Sequence, residues 1–529
     1  MEKVKKQKSS NSFLKGAAIL GIAAIVIKVI GATFRIPLAN KIGDLGMGYY
    51  QSAYPIYIYL SVIATAGIPT AIAKIVSEKV AIGDHIGANR ILKVSLSLMM
   101  VVGGMISLAL IFSAPTLAHY VKNEKAVYSM YAIAPAIFFV SIMSVFRGYF
   151  QGYQRMEAYA WSQVIEQFAR VTVGLSLAFM LVSKGLEFSA AGATFGATVG
   201  GIVGSILIFV LFIKYKNTGD FTQLVPHDDE ASKSIVKRLM MVAIPITIGA
   251  SILPVMTVFD LAIVMRRLND IGYMGQDANR LYGQLTGYAQ TVVNLPQVIT
   301  AAVQISIVPA ISQFVTLGDK VRRDDTIEAG IRLALIIGLP SSVGLVLLSE
   351  GIMKLLYPMQ MNIASNTGAV LGILGWGVVF LSMFQITTGI LQGIGKQSIP
   401  MKNLFFSAIL KAVLSYVLVG VAVLNIKGAA IATVSAYALA AILNFTMMVK
   451  ETKITLSFKN VFLKPIISVA VMGLAVKLTY IILALVVSDR MATALAVVIG
   501  GGSYFIMLFV TNTLTDKDLE MMPGGSKLK

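Results

Sequence analysis

The sequence predicts an all-α polytopic membrane protein with fourteen transmembrane helices, arranged as two six-helix lobes plus two C-terminal helices. Three observations carry that expectation: a composition too apolar for a soluble surface, a string of apolar segments, and an internal repeat. Of 529 residues, 57% are hydrophobic and 13% are charged, against roughly 25% charged in ordinary globular chains. Mean hydropathy is +0.79.

Fourteen apolar segments can be read, each near the roughly 20 residues a spanning helix needs. They cover about 13–36, 50–77, 91–118, 126–150, 158–182, 187–213, 239–264, 280–313, 330–349, 366–391, 400–424, 428–449, 461–487 and 491–512. Connections are short, the longest being 214–238 and 265–279, which leaves no room for a soluble catalytic domain. The basic start (Lys3, Lys5, Lys6, Lys8, Lys15) before an apolar run resembles a signal peptide. No small-residue cleavage site follows, so segment 1 is expected to be retained.

Net charge is +19. On a soluble chain this would point to nucleic acid. Here it fits the enrichment of Lys and Arg in cytoplasmic loops, so no nucleic-acid partner is expected. With the N-terminus inside, inside loops and their flanking turns hold 27 Lys and Arg against 10 outside, and seven lie within spans. Both termini are therefore expected in the cytoplasm. The outer loop with Arg266, Arg267 and Arg280 breaks the trend; it reads either as a solvated loop or as a cationic mouth.

Gly148, Gln151, Gly152 and Arg155 reappear as Gly389, Gln392, Gly393 and Lys396 at an offset of 241 residues, where Arg170 also falls on Lys411. Ile68-Pro69 matches Val308-Pro309 at an offset of 240. The offset spans an even number of helices, so the two copies have parallel topology, as in transporters whose lobes rock to alternate access. The expected organisation is an N-lobe over 1–225, a C-lobe over 226–450, and segments 13 and 14 with a cytoplasmic tail over 451–529.

Charges at bilayer depth are costly and usually mark function. Lys28 and Arg35 lie seven residues apart on segment 1, nearly two turns, and so share a face. Two cations with no acid between them fit an anion, with snorkelling of Arg35 as the plainer alternative. Glu166 and Arg170 are four apart and can pair, either as a structural ion pair or to hold Arg170 for substrate. Lys411 has no acid one turn away, so it is expected to meet an outside anion or a lobe–lobe partner. Arg147, one turn before Gln151-Gly152, is placed for structure, phosphate contact or both. Asp260 is the sole acid within segment 7 and can pair with Arg267 or hold a cation. Pro245 and Pro254 predict bending there. Lys74 and Lys477 read as snorkels. Tyr50, Tyr54 and Tyr57 on segment 2 read as part of an interfacial belt, or as one face that stacks on sugar or lines a gate.

Several chemistries drop out. There are no cysteines and three histidines, which removes thiolate, iron–sulfur and Cys–zinc sites and disfavours a His-rich metal centre. Gly393-Ile-Gly395-Lys396-Gln397-Ser398 is not a phosphate loop, because Ile390 stands where the first glycine belongs and Gln397 replaces Ser/Thr. His227-Asp228-Asp229-Glu230 reads as a solvated charge run rather than metal ligands. No cofactor is expected; a membrane potential or ion gradient would supply the drive. An ion-coupled drug exporter would need more intramembrane carboxylates than Glu166 and Asp260. A membrane glycosyltransferase would need a catalytic acid, and the longest outer loop offers Asp270 and Asp277.

Finally, Arg147-Gly-Tyr-Phe-Gln-Gly-Tyr-Gln154 with Ser162-Gln-Val-Ile-Glu-Gln-Phe-Ala-Arg170 resembles the polysaccharide-biosynthesis branch of the multidrug/oligosaccharidyl-lipid/polysaccharide exporter superfamily. Tyr282-Gly-Gln-Leu-Thr-Gly-Tyr288, Leu295-Pro296, Val308-Pro-Ala-Ile-Ser312, Phe13-Leu-Lys-Gly16 and Gly31-Ala-Thr-Phe-Arg35 extend it over essentially the whole chain. The likeness is to the stage V sporulation proteins and the Gram-positive MurJ-type lipid II flippases. It implies a MATE/MurJ-like flippase in the bacterial cytoplasmic membrane. Such a protein moves an undecaprenyl-pyrophosphate-linked cell-wall precursor from the inner to the outer leaflet, with the cell-wall synthesis machinery as a further partner. It further implies a cationic cavity for the pyrophosphate, a groove at segments 13 and 14 for the lipid tail, and an essential arginine at Arg35. The match departs at Ser61, Thr291 and Asn294, where Gram-negative relatives carry charged residues. The cationic site would then draw on Lys28, Arg170, Lys411 or Arg280. Asp260 is the one candidate for the sodium site that some relatives have near segment 7.

Overall fold

A computed structural model describes residues 2–218 and 230–513. His227, Asp228 and Asp229 of the acidic run, and the tail from residue 514, lie outside the described residues. Every regular element among those described is helical. Thirteen runs are long and apolar enough to cross a membrane; the first, Ile19–Ala81, holds both segments 1 and 2.

The chain divides into two compact units, Met1–Met265 and Arg266–Lys529. The first contains α1 (Glu2–Thr65), α2 (Ile68–Ala81), α3 (His85–Tyr120), α4 (Val127–Gly152), α5 (Met156–Leu181), α6 (Leu186–Thr218) and most of α7 (Ser232–Asp270). Segments 1 and 2 are one helical run, α1, interrupted at Gly43, whose φ of 69° is open to glycine at little cost. Segment 2 then breaks again at Ala66-Gly67 before α2. Asp84 starts α3 by accepting the Gly87 amide at 2.8 Å, satisfying one of the free donors at a helix start.

The division falls at Met265, forty residues later than the expected lobe boundary at 225. The reason is visible in α7. Ile235, Leu239 and Ala243 are buried in one apolar cluster with Ile68, Ile72, Met143 and Phe146. The Gly67 amide donates to Thr247 Oγ1 at 3.2 Å, and any side chain on Gly67 would collide with the Ala243 carbonyl. Arg238 bridges Glu78 at 2.8 Å and Glu230 at 3.0 Å. Burial works against the Glu230 carboxylate, but hydrogen bonds from Ser234 and Arg238 hold its pKa below the usual range.

The second unit contains α8 (Gln276–Gly283), a π-helical turn at Gln284–Ala289, α9 (Gln290–Val293), α10 (Gln297–Leu317), α11 (Lys320–Leu347) and α12 (Ser349–Leu356). It continues with α13 (Ala364–Gly375), α14 (Gly377–Gly393), α15 (Ser398–Val419), α16 (Ile426–Thr452), α17 (Lys464–Leu483) and α18 (Asp489–Val510). Segment 8, expected as one span over 280–313, is broken at Asn294-Leu295-Pro296. Pro296 has no N–H to continue the ladder and sits instead at the start of α10. α17 and α18 do not form a separate body over 451–529. Val469, Met472, Val476, Ala496 and Tyr504 share a buried cluster with Ile331 and Leu335 of α11, and the Tyr504 hydroxyl donates to the Ile336 carbonyl at 2.8 Å.

The repeat is a packing repeat. A Cβ on Gly148 of α4 would lie 2.7 Å from the Pro69 carbonyl of α2, and one on Gly393 of α14 would lie 3.1 Å from the Val308 carbonyl of α10. The helix with the Gly-x-x-Gln-Gly motif thus crosses the helix with the Ile/Val-Pro pair once in each unit, shifted by about one turn: Gly148 meets Pro69 and Ile72, whereas its repeat mate Gly389 meets Gln304 and Ile307. Small residues let the backbones approach.

Candidate functional site

Within the first unit, α1, α4 and α5 converge on a charged cluster. α5 lies close against α6 because Gly192, Gly196, Gly200 and Gly204 recur every four residues on α6. A Cβ on Gly200 would stand 2.7 Å from the Glu166 carbonyl, and one on Gly196 would collide with the Arg170 carbonyl. This fixes the stretch of α5 that carries Ser162, Glu166 and Arg170, which are spaced one turn apart and so share a face.

Arg147 reaches across from α4. Its Nε donates to Ser162 Oγ at 2.9 Å and its Nη2 to Glu166 Oε2 at 2.9 Å. It also lies 5.4 Å over the Tyr159 ring. Arg170, near the middle of α5, approaches the other Glu166 oxygen at 3.6 Å, an ion-pair distance but not a hydrogen bond. Its Nη2 donates to the Tyr57 hydroxyl at 3.2 Å, and its Nε is buried with no partner. An unmet buried donor costs about 1–3 kcal/mol. The three side chains are 10%, 13% and 16% exposed for Arg147, Glu166 and Arg170.

A tyrosine ladder links this cluster to Arg35. Tyr50 stacks on Tyr54 at 5.4 Å, and Tyr54 meets Tyr57 at 6.0 Å. Arg35 sits 5.9 Å over Tyr54, and Arg170 sits 5.9 Å over Tyr57, each within cation–π range. Among the described residues Arg35 has no carboxylate partner. The belt reading of these tyrosines fails for Tyr50 and Tyr57, which are buried; the shared-face reading is the one the structure displays. Three arginines and one carboxylate leave a net charge of two positives, an arrangement that attracts an oxyanion.

Other expected site residues lie elsewhere. Lys28 is exposed on α1, and Arg266 and Arg280 are exposed near the α7–α8 turn. Arg267 is bound into the fold: its Nε donates to the Tyr416 carbonyl at 2.9 Å, its Nη1 pairs with Asp270 at 2.8 Å, and it stacks 4.5 Å over the Tyr416 ring. It caps the C-terminal turn of α15 rather than forming a free cationic mouth, and its ion pair is to Asp270, not Asp260. Asp260 is half-buried on α7, and among the described residues no group of three or more acidic or histidine side chains is arranged to hold a metal. Lys411 is half-buried on α15.

The second unit offers a different surface. An apolar groove of about 440 Å³ runs between the α9–α10 break, α11, α12, α17 and α18, lined by Pro296, Leu345, Leu348, Leu356, Met472 and Tyr504 among others. At its rim Lys354 of α12 pairs with Asp489 at 2.6 Å and Glu350 at 2.9 Å. Those two hydrogen bonds, Asp489 first, hold the Lys354 ammonium pKa well above the usual lysine range.

With these features in place, the comparisons decide the family. The polysaccharide biosynthesis protein model matches residues 13–315, and the MatE model matches residues 286–417. The chain belongs to the polysaccharide biosynthesis protein family. With it the chain belongs to the exporter superfamily anticipated from its motifs, and it is a multi-pass membrane protein. Stage V sporulation protein B of Bacillus subtilis (strain 168) is 30% identical over 455 residues, covering 85% of this chain and 86% of that one. Lipid II flippase MurJ of the same organism is 27% identical over 524 residues, covering 94% and 95%. A solved structure of lipid II flippase MurJ in an inward closed conformation superposes with a TM-score of 0.70 at 16% identity, covering 93% of this chain and 98% of that one. At that identity the superposition speaks for the fold.

Family membership explains the helical frame. It does not explain the cluster, whose contacts the sequence left largely hidden. The Glu166–Arg170 pair was legible as a one-turn spacing. The Arg147–Glu166 bond joins residues nineteen apart on two helices, and the Tyr57–Arg170 bond joins residues 113 apart. The four-residue glycine period on α6 is the sequence signal that marks this face of α5 as tightly packed.

Proposed function

We propose that this protein is a flippase for a polyprenyl-pyrophosphate-linked cell-wall precursor, with lipid II as its cargo. The observation that carries the reading is the cluster in the first unit. Arg35 and Arg170 flank a tyrosine ladder, and the one carboxylate, Glu166, meets Arg147 and Arg170 but not Arg35. Uncompensated cations at membrane depth are expensive and persist where an anion repays them. A pyrophosphate is such an anion, and the arginine fork suits its oxygens. The tyrosine faces add a surface on which sugar rings stack. The apolar groove of the second unit has the chemistry a polyprenyl chain requires. Relatives named as a lipid II flippase and a sporulation protein support the cargo class.

In a bacterial cytoplasmic membrane with both termini in the cytoplasm, an inside-negative potential drives a bound anion outward. The gain is about 2.3 kcal/mol per charge per 100 mV, so no nucleotide-hydrolysing site is required. The test is the leaflet distribution of lipid II in cells depleted of their own flippases and supplied with this protein. Restored outward lipid II is the expected result. Lipid II retained in the inner leaflet, with the protein present in the membrane, contradicts this cargo.

A further inference from the structure

The geometry points to a division of labour inside the charged cluster: Arg147 is a positioning residue that keeps Glu166 off Arg170, so that Arg170 stays available to the diphosphate. This deepens the cargo reading above and rests on it.

Glu166 is shared unequally. Its Oε2 accepts a hydrogen bond from Arg147 at 2.9 Å, while its Oε1 stands 3.6 Å from Arg170. Arg147 is itself pinned by Ser162 at 2.9 Å and by the Tyr159 ring. The Arg147–Glu166 pair is therefore a closed, nearly neutral unit. Arg170 is the opposite. Among the described residues its one hydrogen bond goes to the Tyr57 hydroxyl at 3.2 Å, and its Nε is buried without a partner. Of two arginines beside one carboxylate, one is spent and the other is held in reserve. A rotation of Arg170 toward a phosphate oxygen meets its unmet donor. Glu166 cannot follow while Arg147, itself pinned by Ser162, holds it. Glu166 in turn keeps two buried cations from standing without any counter-charge.

This arrangement makes a prediction of sign that a direct substrate contact does not make. Remove Arg147 alone, and Glu166 is released onto Arg170, where it competes with the ligand. Remove Glu166 as well, and the competitor is gone.

The experiment uses the purified full chain in lipid nanodiscs, with farnesyl diphosphate as the probe and farnesol as the uncharged control. The folded fraction of each variant is checked by size-exclusion profile and thermal melt. Wild type is expected to bind the diphosphate in preference to farnesol. Arg147→Gln should weaken diphosphate binding about tenfold, the scale of one lost charge-assisted contact, and leave farnesol binding unchanged. Arg147→Gln/Glu166→Gln should recover to within about threefold of wild type, and Glu166→Gln alone should bind at least as tightly as wild type. A double variant as weak as Arg147→Gln overturns the inference and makes Arg147 a direct contact. If Arg147→Gln does not fold, Glu166→Gln carries the test, and a tenfold loss there overturns the inference. Wild type that does not prefer the diphosphate overturns the cargo reading itself, and the inference with it.

Discussion

The two halves of this molecule share a frame and differ in what fills it. At the crossing of α4 and α5, Arg147, Ser162, Glu166 and Arg170 build a charged cluster. At the same offset in the second unit stand Thr388, Asn403, Ser407 and Lys411. There the Asn403 amide donates to Asn444 Oδ1 at 2.9 Å, and the Asn444 amide donates to Thr388 Oγ1 at 2.9 Å. A neutral amide chain, with Asn444 fully buried, does structurally what Arg147, Ser162 and Glu166 do in the first unit. Gly148 and Gly152, which pack α4 on α2, are kept as Gly389 and Gly393, whereas the α6 glycines behind Glu166 and Arg170 are replaced by Thr433, Tyr437, Ala441 and Phe445, and the charges are not kept. The lesson is that the repeat preserves a helix crossing while, at these four positions, charged side chains in one half are replaced by neutral ones in the other except at Lys411. Lys411 is the remnant that both halves share as a cation.

The comparison can be broken most directly at Arg35. Arg35→Ala should abolish flipping while leaving membrane insertion intact; normal growth supported by that variant as the sole flippase contradicts its role. Next, Arg170→Ala should lower transport by at least tenfold, Lys411→Ala by less, and Lys477→Ala not measurably. Equal losses at all three, measured by lipid II flipping in vesicles, would indicate general folding damage instead. In the neutral half, Asn444→Leu should cost stability rather than cargo discrimination. It leaves the Asn403 donor and the Thr388 hydroxyl short of partners, about 1–3 kcal/mol, read as a lowered melting temperature with an unchanged diphosphate-to-farnesol preference. The smallest effect is expected at Arg267→Ala, which removes a cap on α15 worth about 1 kcal/mol or less. Vesicle transport should stay within about threefold of wild type, and a larger loss would restore the cationic-mouth reading of that loop.

Much of this was legible in the sequence because membrane helices announce themselves by length and apolarity. The membrane helices and the internal repeat followed from pattern, though not all of the segment ends: segments 1 and 2 are one helical run through Gly43. Three features did not. The break of segment 8 at Pro296 was masked by apolar residues on both sides. The attachment of α7 to the first unit depends on a backbone contact at Gly67 that no periodicity records. The cluster itself is an affair of three helices, so one-turn spacing revealed the weaker Glu166–Arg170 contact and not the stronger Arg147–Glu166 bond. Likewise, the tyrosines of segment 2 carry the composition of an interfacial belt, and the burial of Tyr50 and Tyr57 and the arginines over Tyr54 and Tyr57 are what set them apart from one.

The most direct test of the central claim, that the arginines of the first unit carry a pyrophosphate across the membrane, is transbilayer movement of fluorescent lipid II in sealed proteoliposomes. Wild-type protein should move it, faster when the imposed potential favours anion movement in the measured direction. Arg35→Ala and Arg170→Ala should reduce the rate to near that of protein-free vesicles. Wild-type rates equal to protein-free vesicles, or equal rates in all three proteins, would contradict the account.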